Sequence, residues 1–251
     1  MEKQPLVSVI TPCYNMEKFV ADTVNAVRNQ SYPHWEMLIV DDASTDGTAD
    51  ILKTLAEQDE RIKITFKPSQ TGIADSRNQA IHKARGHYLA FLDADDLWRH
   101  DKLDQQLQFM QERHLGFSFS SYDLVDETGM SLNKTVIAHD DMDYYSYLRN
   151  TIIGCSTVMI DTNITGPVTV PRFRTSEDTA TWLDILRQGH VAHAISEPLV
   201  SYRIRRKSAS SNKLKASRDL WIVYRRHEKL PFFKALFYFG CYVFNAIKKR
   251  L

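Results

Sequence analysis

The chain is 251 residues long, 43% hydrophobic and 25% charged, with a formal net charge of +1. That composition supports one full core and excludes a disordered tail. Its three cysteines, Cys13, Cys155 and Cys241, lie far apart without C-x-x-C spacing, which excludes a zinc-finger framework and suits a reducing compartment.

In chain order, residues 1–5 lead into a strand without an apolar leader, so no secretory signal is read and a cytoplasmic location is expected. Residues 5–11 read as a buried strand, and 16–30 as a helix with Phe19, Val20, Val24 and Val27 at helical spacing. The pattern then repeats: strand 35–40, helix 48–56, strand 62–66, helix 73–84 with Gly86 as its stop, strand 88–92. Strands alternating with helices predict a parallel, doubly wound α/β sheet, whose ligands sit beyond the strand C-termini. Residues 11–15, 41–46 and 93–96 should therefore converge.

After a helix over 102–113 the alternation lapses. Residues 117–125 and 151–161 read as strands, 144–148 as a short helix, 175–189 as a helix capped by Gly189, and 191–195 and 199–204 as two further strands. Residues 1–201 hold 18 Lys/Arg against 29 Asp/Glu, whereas residues 202–251 hold 14 against 2. A strongly basic last fifth predicts an anionic partner, substrate phosphate or an anionic membrane face; no nucleic acid partner is expected. Its aromatic and basic residues, split by Pro231 into two helices, fit an interfacial amphipathic helix; the alternative is a C-terminal helix packed on the core.

Asp93, Asp95 and Asp96 stand within four residues at the end of the strand Tyr88-Leu89-Ala90-Phe91-Leu92. Like charges this close repel and Asp is a poor strand former, so the cluster reads as a hard-cation site facing phosphate oxygens. Asp41 and Asp42 end a second strand; Ser44 to Asp46 read as caps of the following helix, while Asp42 reads as an acceptor for a nucleobase N–H or a ribose hydroxyl. Glu177 and Asp178 lie just inside a helix start, where Thr175 or Ser176 could cap.

With Thr11-Pro12-Cys13-Tyr14-Asn15, Asp41 to Thr48 and Asp93-Ala94-Asp95-Asp96 in order, the chain resembles family 2 glycosyltransferases with the GT-A fold, a Rossmann-like, mostly parallel sheet flanked by helices. Gly72 to Asn78, then Glu177, Asp178 and Trp182, extend the resemblance over roughly residues 5–205. It implies a GT-A domain over 1–205, with a nucleotide-sugar half (1–100) and an acceptor half (101–205), followed by a basic-aromatic helical tail (206–251). It further implies that Pro12, Tyr14 and Asn15 border the nucleotide, that Asp42 reads the base, that Asp93 contacts ribose or metal, and that Asp95 holds Mn2+ or Mg2+ directly. Asp178 would be the general base, with Glu177 and Trp182 on the acceptor side. Arg77 could meet the diphosphate or pair with an acidic neighbour. Arg203 and Arg205 open a basic stretch, continuing through Arg206 and Lys207, that could close over diphosphate; many relatives carry His where Arg205 stands. Residues 1–12 and 151–161 resemble the bacterial teichuronic acid and surface polysaccharide branch. That branch implies an inverting transfer from a UDP-sugar to a lipid-linked glycan acceptor, by an enzyme peripheral at the inner membrane face. Two other readings are a sugar-phosphate nucleotidyltransferase, whose Gly-rich basic loop is absent here, and a non-catalytic nucleotide-binding membrane subunit, which would not keep Asp42, Asp93, Asp95 and Asp178.

Overall fold

The structure is a computed structural model and describes residues 4–173, 175–205 and 213–248. Near-continuous apolar runs make β1 (Val7–Cys13) and β2 (Trp35–Asp41) strands buried on both faces, every residue of each being buried. They pair in parallel with each other, with β3 (Ile62–Phe66) and with β4 (Tyr88–Phe91). The crossovers are α1 (Val20–Arg28), α2 (Thr48–Gln58) and α3 (Ile73–Lys83). Side chains alternate between two cores: Ile10, Leu38 and Phe91 face one, Val9, Met37 and Ala90 the other.

Beyond β4 the elements are β5 (Leu97–Trp98), α4 (Lys102–Arg113), β6 (Phe117–Val125), β7 (Ser131–Val136), α5 (Tyr144–Arg149), β8 (Met159–Asp161), α6 (Thr162–Thr165), α7 (Glu177–Leu186) and β9 (His193–Arg203). Among the described residues they extend one mixed, nine-stranded sheet in the order β3-β2-β1-β4-β8-β6-β9-β5, with β7 paired to β6. β8 runs antiparallel to β4 and β6, and β9 is parallel to β6, so β9 ends on the same side as β4. This brings Arg203 and Arg205 to the carboxylates after β4.

The structure differs from the sequence expectations at several points. Only Met159–Asp161 of residues 151–161 is strand; Cys155–Thr157 forms a 3-10 turn. The two strands expected at 191–195 and 199–204 are one, His193–Arg203, because register shifts between Ser120 and Tyr122 absorb the break around Pro198. Gly86 does not stop α3, which ends at Lys83 with Ala84 as C-cap. It is required instead by close approach to β1, since a Cβ there would lie 2.2 Å from the Leu6 carbonyl oxygen.

The C-terminal residues fold as α8 (Lys213–Ile222), a π-helical turn over Val223–His227, and α9 (Phe232–Lys248) after Pro231. Leu220, Val223, Tyr224, Ala235 and Tyr238 join the core, and the Tyr224 hydroxyl donates to the Leu148 carbonyl at 2.7 Å. The opposite face of α9 stays open, with Phe233 81%, Phe237 58% and Phe244 68% exposed. The tail thus packs on the core through one face and presents an aromatic surface on the other.

Candidate active site

The parallel strands β1, β2 and β4 end at one edge, where they open into a cavity of about 800 Å³. Pro12, Tyr14, Asn15, Asp42, Arg77, Asp93, Asp95, Glu177, Asp178 and Arg205 all line it. Residues separated by up to about two hundred positions in sequence thus share one cleft, at the strand C-termini where α/β sheets bind ligands.

Two loops at the mouth are laced together. The Asn15 Oδ1 accepts from the Thr45 N–H at 2.8 Å, the Asn15 N–H donates to Ser44 Oγ at 2.9 Å, and the Met16 N–H donates to Thr48 Oγ1 at 2.7 Å. The expectation that Ser44 to Asp46 cap α2 is corrected: the N-cap is Gly47, which has no side-chain capping bond, while Ser44 and Thr45 bond to Asn15, and Asp46, one residue further out, accepts from the Thr48 N–H at 3.0 Å. Asn15 (φ 52°), Ala43 (φ 61°) and Ser176 (φ 72°) adopt the left-handed region around this cleft, a concentration of strain typical of functional sites.

Asp42 is buried and holds the loop before α3. Its Oδ1 accepts from Lys67 Nζ at 2.8 Å and the Thr71 N–H at 2.9 Å, and its Oδ2 from the Gly72 N–H at 2.7 Å. Gly72 has φ 100°, which that hairpin-like approach demands of the residue entering α3. Burial raises the Asp42 pKa, but Lys67 and the two backbone donors outweigh it and hold the carboxyl below the usual range. Asp42 therefore stays ionised, and each carboxylate oxygen can accept two hydrogen bonds, leaving acceptor capacity at Oδ2.

Arg77, on α3, is almost fully buried and bridges two carboxylates: Nη1 donates to Glu177 Oε1 at 2.8 Å and Nη2 to Asp93 Oδ1 at 2.6 Å. Of the two roles open for Arg77 from sequence, the structure provides the pairing with acidic neighbours. Glu177 is pushed up to about 7, by burial first and by the Asp178 charge, against the pull of Arg77. Asp178 is raised by burial too, with Arg77 opposing. Neither Ser176 nor Thr175 caps α7: Ser176 makes no side-chain capping bond, and the Thr175 hydroxyl donates to Asp219 of α8.

Asp95 is raised by burial and by the charge of Asp93, with Arg205 opposing through its Nε bond to Asp95 Oδ2. Asp93 and Asp95 each meet a side-chain cation through one oxygen, and both line the cavity; carboxylate oxygens are the kind of donor that Mn2+ or Mg2+ takes. Asp96 is different. It is buried, accepts from the Ser156 hydroxyl at 2.5 Å and the Arg203 N–H at 2.9 Å, and ties β4 to β9.

Two sequence expectations are corrected. Trp182 does not border the cavity but is 1% exposed in the core, edge-on to Phe91 at 5.1 Å and tilted against Phe117 at 5.4 Å. Arg203 is not part of a diphosphate loop: it lies buried in β9, donates to the Asp95 and Glu127 carbonyls at 2.8 and 2.7 Å, and packs over Phe19. Arg206 and Lys207 lie outside the described residues. Sequence reading missed Lys67 as the partner of Asp42, and also missed Ala216, Leu220 and Tyr242, by which the tail walls the cavity. The aromatic spacing of the tail was the available signal.

A cleft lined by strand-end carboxylates on this sheet is where an α/β protein binds ligands, and the Glycosyl transferase family 2 model matches residues 8–163: the chain belongs to that family. It is a glycosyltransferase with the GT-A fold. The chain is 50% identical over 248 residues to the Bacillus subtilis glycosyltransferase TuaG, named for teichuronic acid biosynthesis, covering 99% of this chain and 98% of that one. It is 34% identical over 247 residues to Escherichia coli WfgD, named as a UDP-Glc:alpha-D-GlcNAc-diphosphoundecaprenol beta-1,3-glucosyltransferase, covering 98% and 95%. Among solved structures, S. aureus TarS with UDP-GlcNAc matches with a TM-score of 0.71 at 19% identity, over 88% of this chain and 66% of that one. A Pyrobaculum calidifontis mannosyltransferase with GDP-Man and Mn2+ matches at 0.69 and 20% identity, over 92% and 66%. At those identities the likeness is one of fold.

Proposed function

We propose that this enzyme transfers a sugar with inversion from a nucleoside diphosphate sugar, a UDP-sugar in the first instance, to a hydroxyl of a lipid-linked cell-wall or surface polysaccharide precursor. The observation that carries the reading is the meeting of Asp42, Asp95 and Asp178 on one cavity. The names of the similar B. subtilis and E. coli proteins support the acceptor class. In this reading residues 1–100 hold the donor and residues 101–205 meet the acceptor.

Each residue has a role its chemistry supports. Pro12, Tyr14 and Asn15 border the nucleobase, and Asp42 accepts a base N–H at Oδ2. Asp93 and Asp95 would hold Mn2+ or Mg2+; a bound cation there supplies neutralisation of the charge on the departing diphosphate. Arg205, one side chain away from Asp95, offers a guanidinium to phosphate oxygens. Asp178 takes the proton from the acceptor hydroxyl as it attacks the anomeric carbon. Glu177 is locked to Arg77, which sets the start of α7 and hence the position of Asp178.

No helix among the described residues is long and apolar enough to cross a membrane. The aromatic face of α9 and the basic last fifth instead fit a peripheral contact with an anionic inner membrane face. Because α8 and α9 contribute to the core, that contact is tested by surface substitution rather than by deletion. Phe233→Ser with Phe237→Ser should leave the melting temperature in place and reduce flotation with anionic vesicles; flotation equal to wild type removes the membrane contact.

A thermal-shift screen of nucleotide sugars tests the donor assignment. A ligand at about 100 times its Kd raises stability by about 2.7 kcal/mol, so the correct donor should raise the melting temperature only with Mn2+ or Mg2+ present. Asp95→Ala should abolish that rise; a rise of wild-type size in Asp95→Ala removes the metal assignment.

A further inference from the structure

The outer side of α9 is grooved as well as apolar. Phe233, Leu236, Phe237, Gly240 and Phe244 of α9, with Arg149 of α5, line an open depression of about 600 Å³. Gly240 is open space: a Cβ there would meet nothing within 4 Å. Arg149, at the end of α5, lies 5.9 Å from the Tyr238 ring centre, and its carbonyl accepts from Asn245 Nδ2 at 3.0 Å, so this part of the groove is held in place.

The groove adjoins the catalytic cleft. Cys241 lines the groove and its neighbour Tyr242 lines the cleft; Arg149 lines the groove and Thr151 lines the cleft. The groove thus pairs an apolar lining with one cation, and chain neighbours of its lining residues, Thr151 and Tyr242, line the carboxylate-bearing cavity. A glycan carried on a polyisoprenyl diphosphate has the complementary parts of hydrocarbon, dianion and sugar. We infer that the α9 groove seats the proximal isoprenoid units of the acceptor lipid and that Arg149 meets its diphosphate, which delivers the glycan end toward Asp178. The inference rests on the lipid-linked acceptor proposed above and adds the place where its lipid is held.

The test uses geranylgeranyl diphosphate as probe on the full chain, without divalent ions so that the donor site does not compete, with geranylgeraniol and inorganic diphosphate as controls. Geranylgeranyl diphosphate should bind at least tenfold more tightly than either control. Gly240→Phe, which fills the depression, and Arg149→Glu should each weaken it at least tenfold, while Gly240→Ala keeps most of the affinity; melting curves establish that the variants fold. Equal binding of geranylgeraniol, equal binding of inorganic diphosphate, or wild-type affinity in Gly240→Phe overturns the inference. Mn2+-dependent binding of the nucleotide sugar, measured on the same samples, separates the outcomes: its loss from wild type refutes the donor reading, whereas groove results that fail beside intact donor binding refute the groove alone.

Discussion

Arg77→Met is the perturbation with the most internal structure. It keeps the apolar stem and removes a buried cation that holds Glu177 at 2.8 Å and Asp93 at 2.6 Å, with Arg77 and Glu177 both under a tenth exposed. Removing one partner of a buried pair typically costs about 3–5 kcal/mol, because the remaining charge is left uncompensated. For a chain of this size each kcal/mol moves the melting temperature by about 2–4 °C, so a fall of roughly 6–20 °C is expected. The loss should also depend on pH. Glu177 already titrates at about 7 although Arg77 pulls it down, so losing Arg77 raises it further. A carboxyl whose folded value exceeds its ordinary value of 4.5 binds more protons folded than unfolded, so stability declines as pH rises from the ordinary value through the folded one. In the variant that decline runs on to higher pH, and each added unit is worth about 1.4 kcal/mol. Urea unfolding of both proteins at about pH 6 and about pH 8 should give a larger deficit at the higher pH. A deficit below about 1 kcal/mol, or one equal at both pH values, would refute the bridging role.

The other predictions concern packing. Trp182→Phe should destabilise by roughly 2 kcal/mol, less than the ~3–5 of full truncation, with no change in acceptor KM; a KM increase of tenfold or more would put Trp182 back at the acceptor. Gly86→Ala forces a methyl against the Leu6 carbonyl and should cost roughly 2 kcal/mol by overpacking, read by urea unfolding; a neutral result would mean that β1 can shift.

The strand-end carboxylates of the cleft were legible because they stand where apolar runs stop. An apolar run that terminates in Asp93 and Asp95, or in Asp42, has no packing reason to do so, and strand-helix alternation places such ends together. The helix after residue 176 was less legible. Helical spacing puts Trp182, Ile185 and Leu186 on one face, but spacing does not say whether that face meets a cavity or a sheet, and here it meets Phe91 and Phe117. Arg203 falls inside the strand expected over 199–204, but the run of cations from Arg203 to Lys207 reads as a loop facing diphosphate; spacing does not say that the Arg203 side chain turns inward, to the carbonyls of Asp95 and Glu127. The left-handed backbone at Asn15 goes with tertiary contacts, its N–H and side chain both being bonded to the 44–45 loop, which local sequence does not specify. The tail's part in the cavity depends on how α8 and α9 dock, which charge and aromatic content alone do not specify.

The central claim is that Asp178 acts as the base on the acceptor hydroxyl beside a donor held by the other carboxylates, and Asp178→Asn examines it directly. Titration calorimetry should give a donor affinity close to wild type, while transfer falls by about 10²–10⁴. The wild-type kcat/KM should rise with pH along an acid limb displaced above the usual carboxylate range, because burial raises Asp178 and a base acts only when deprotonated. Turnover at wild-type rates in Asp178→Asn, with donor still bound, would contradict the account and place the base elsewhere.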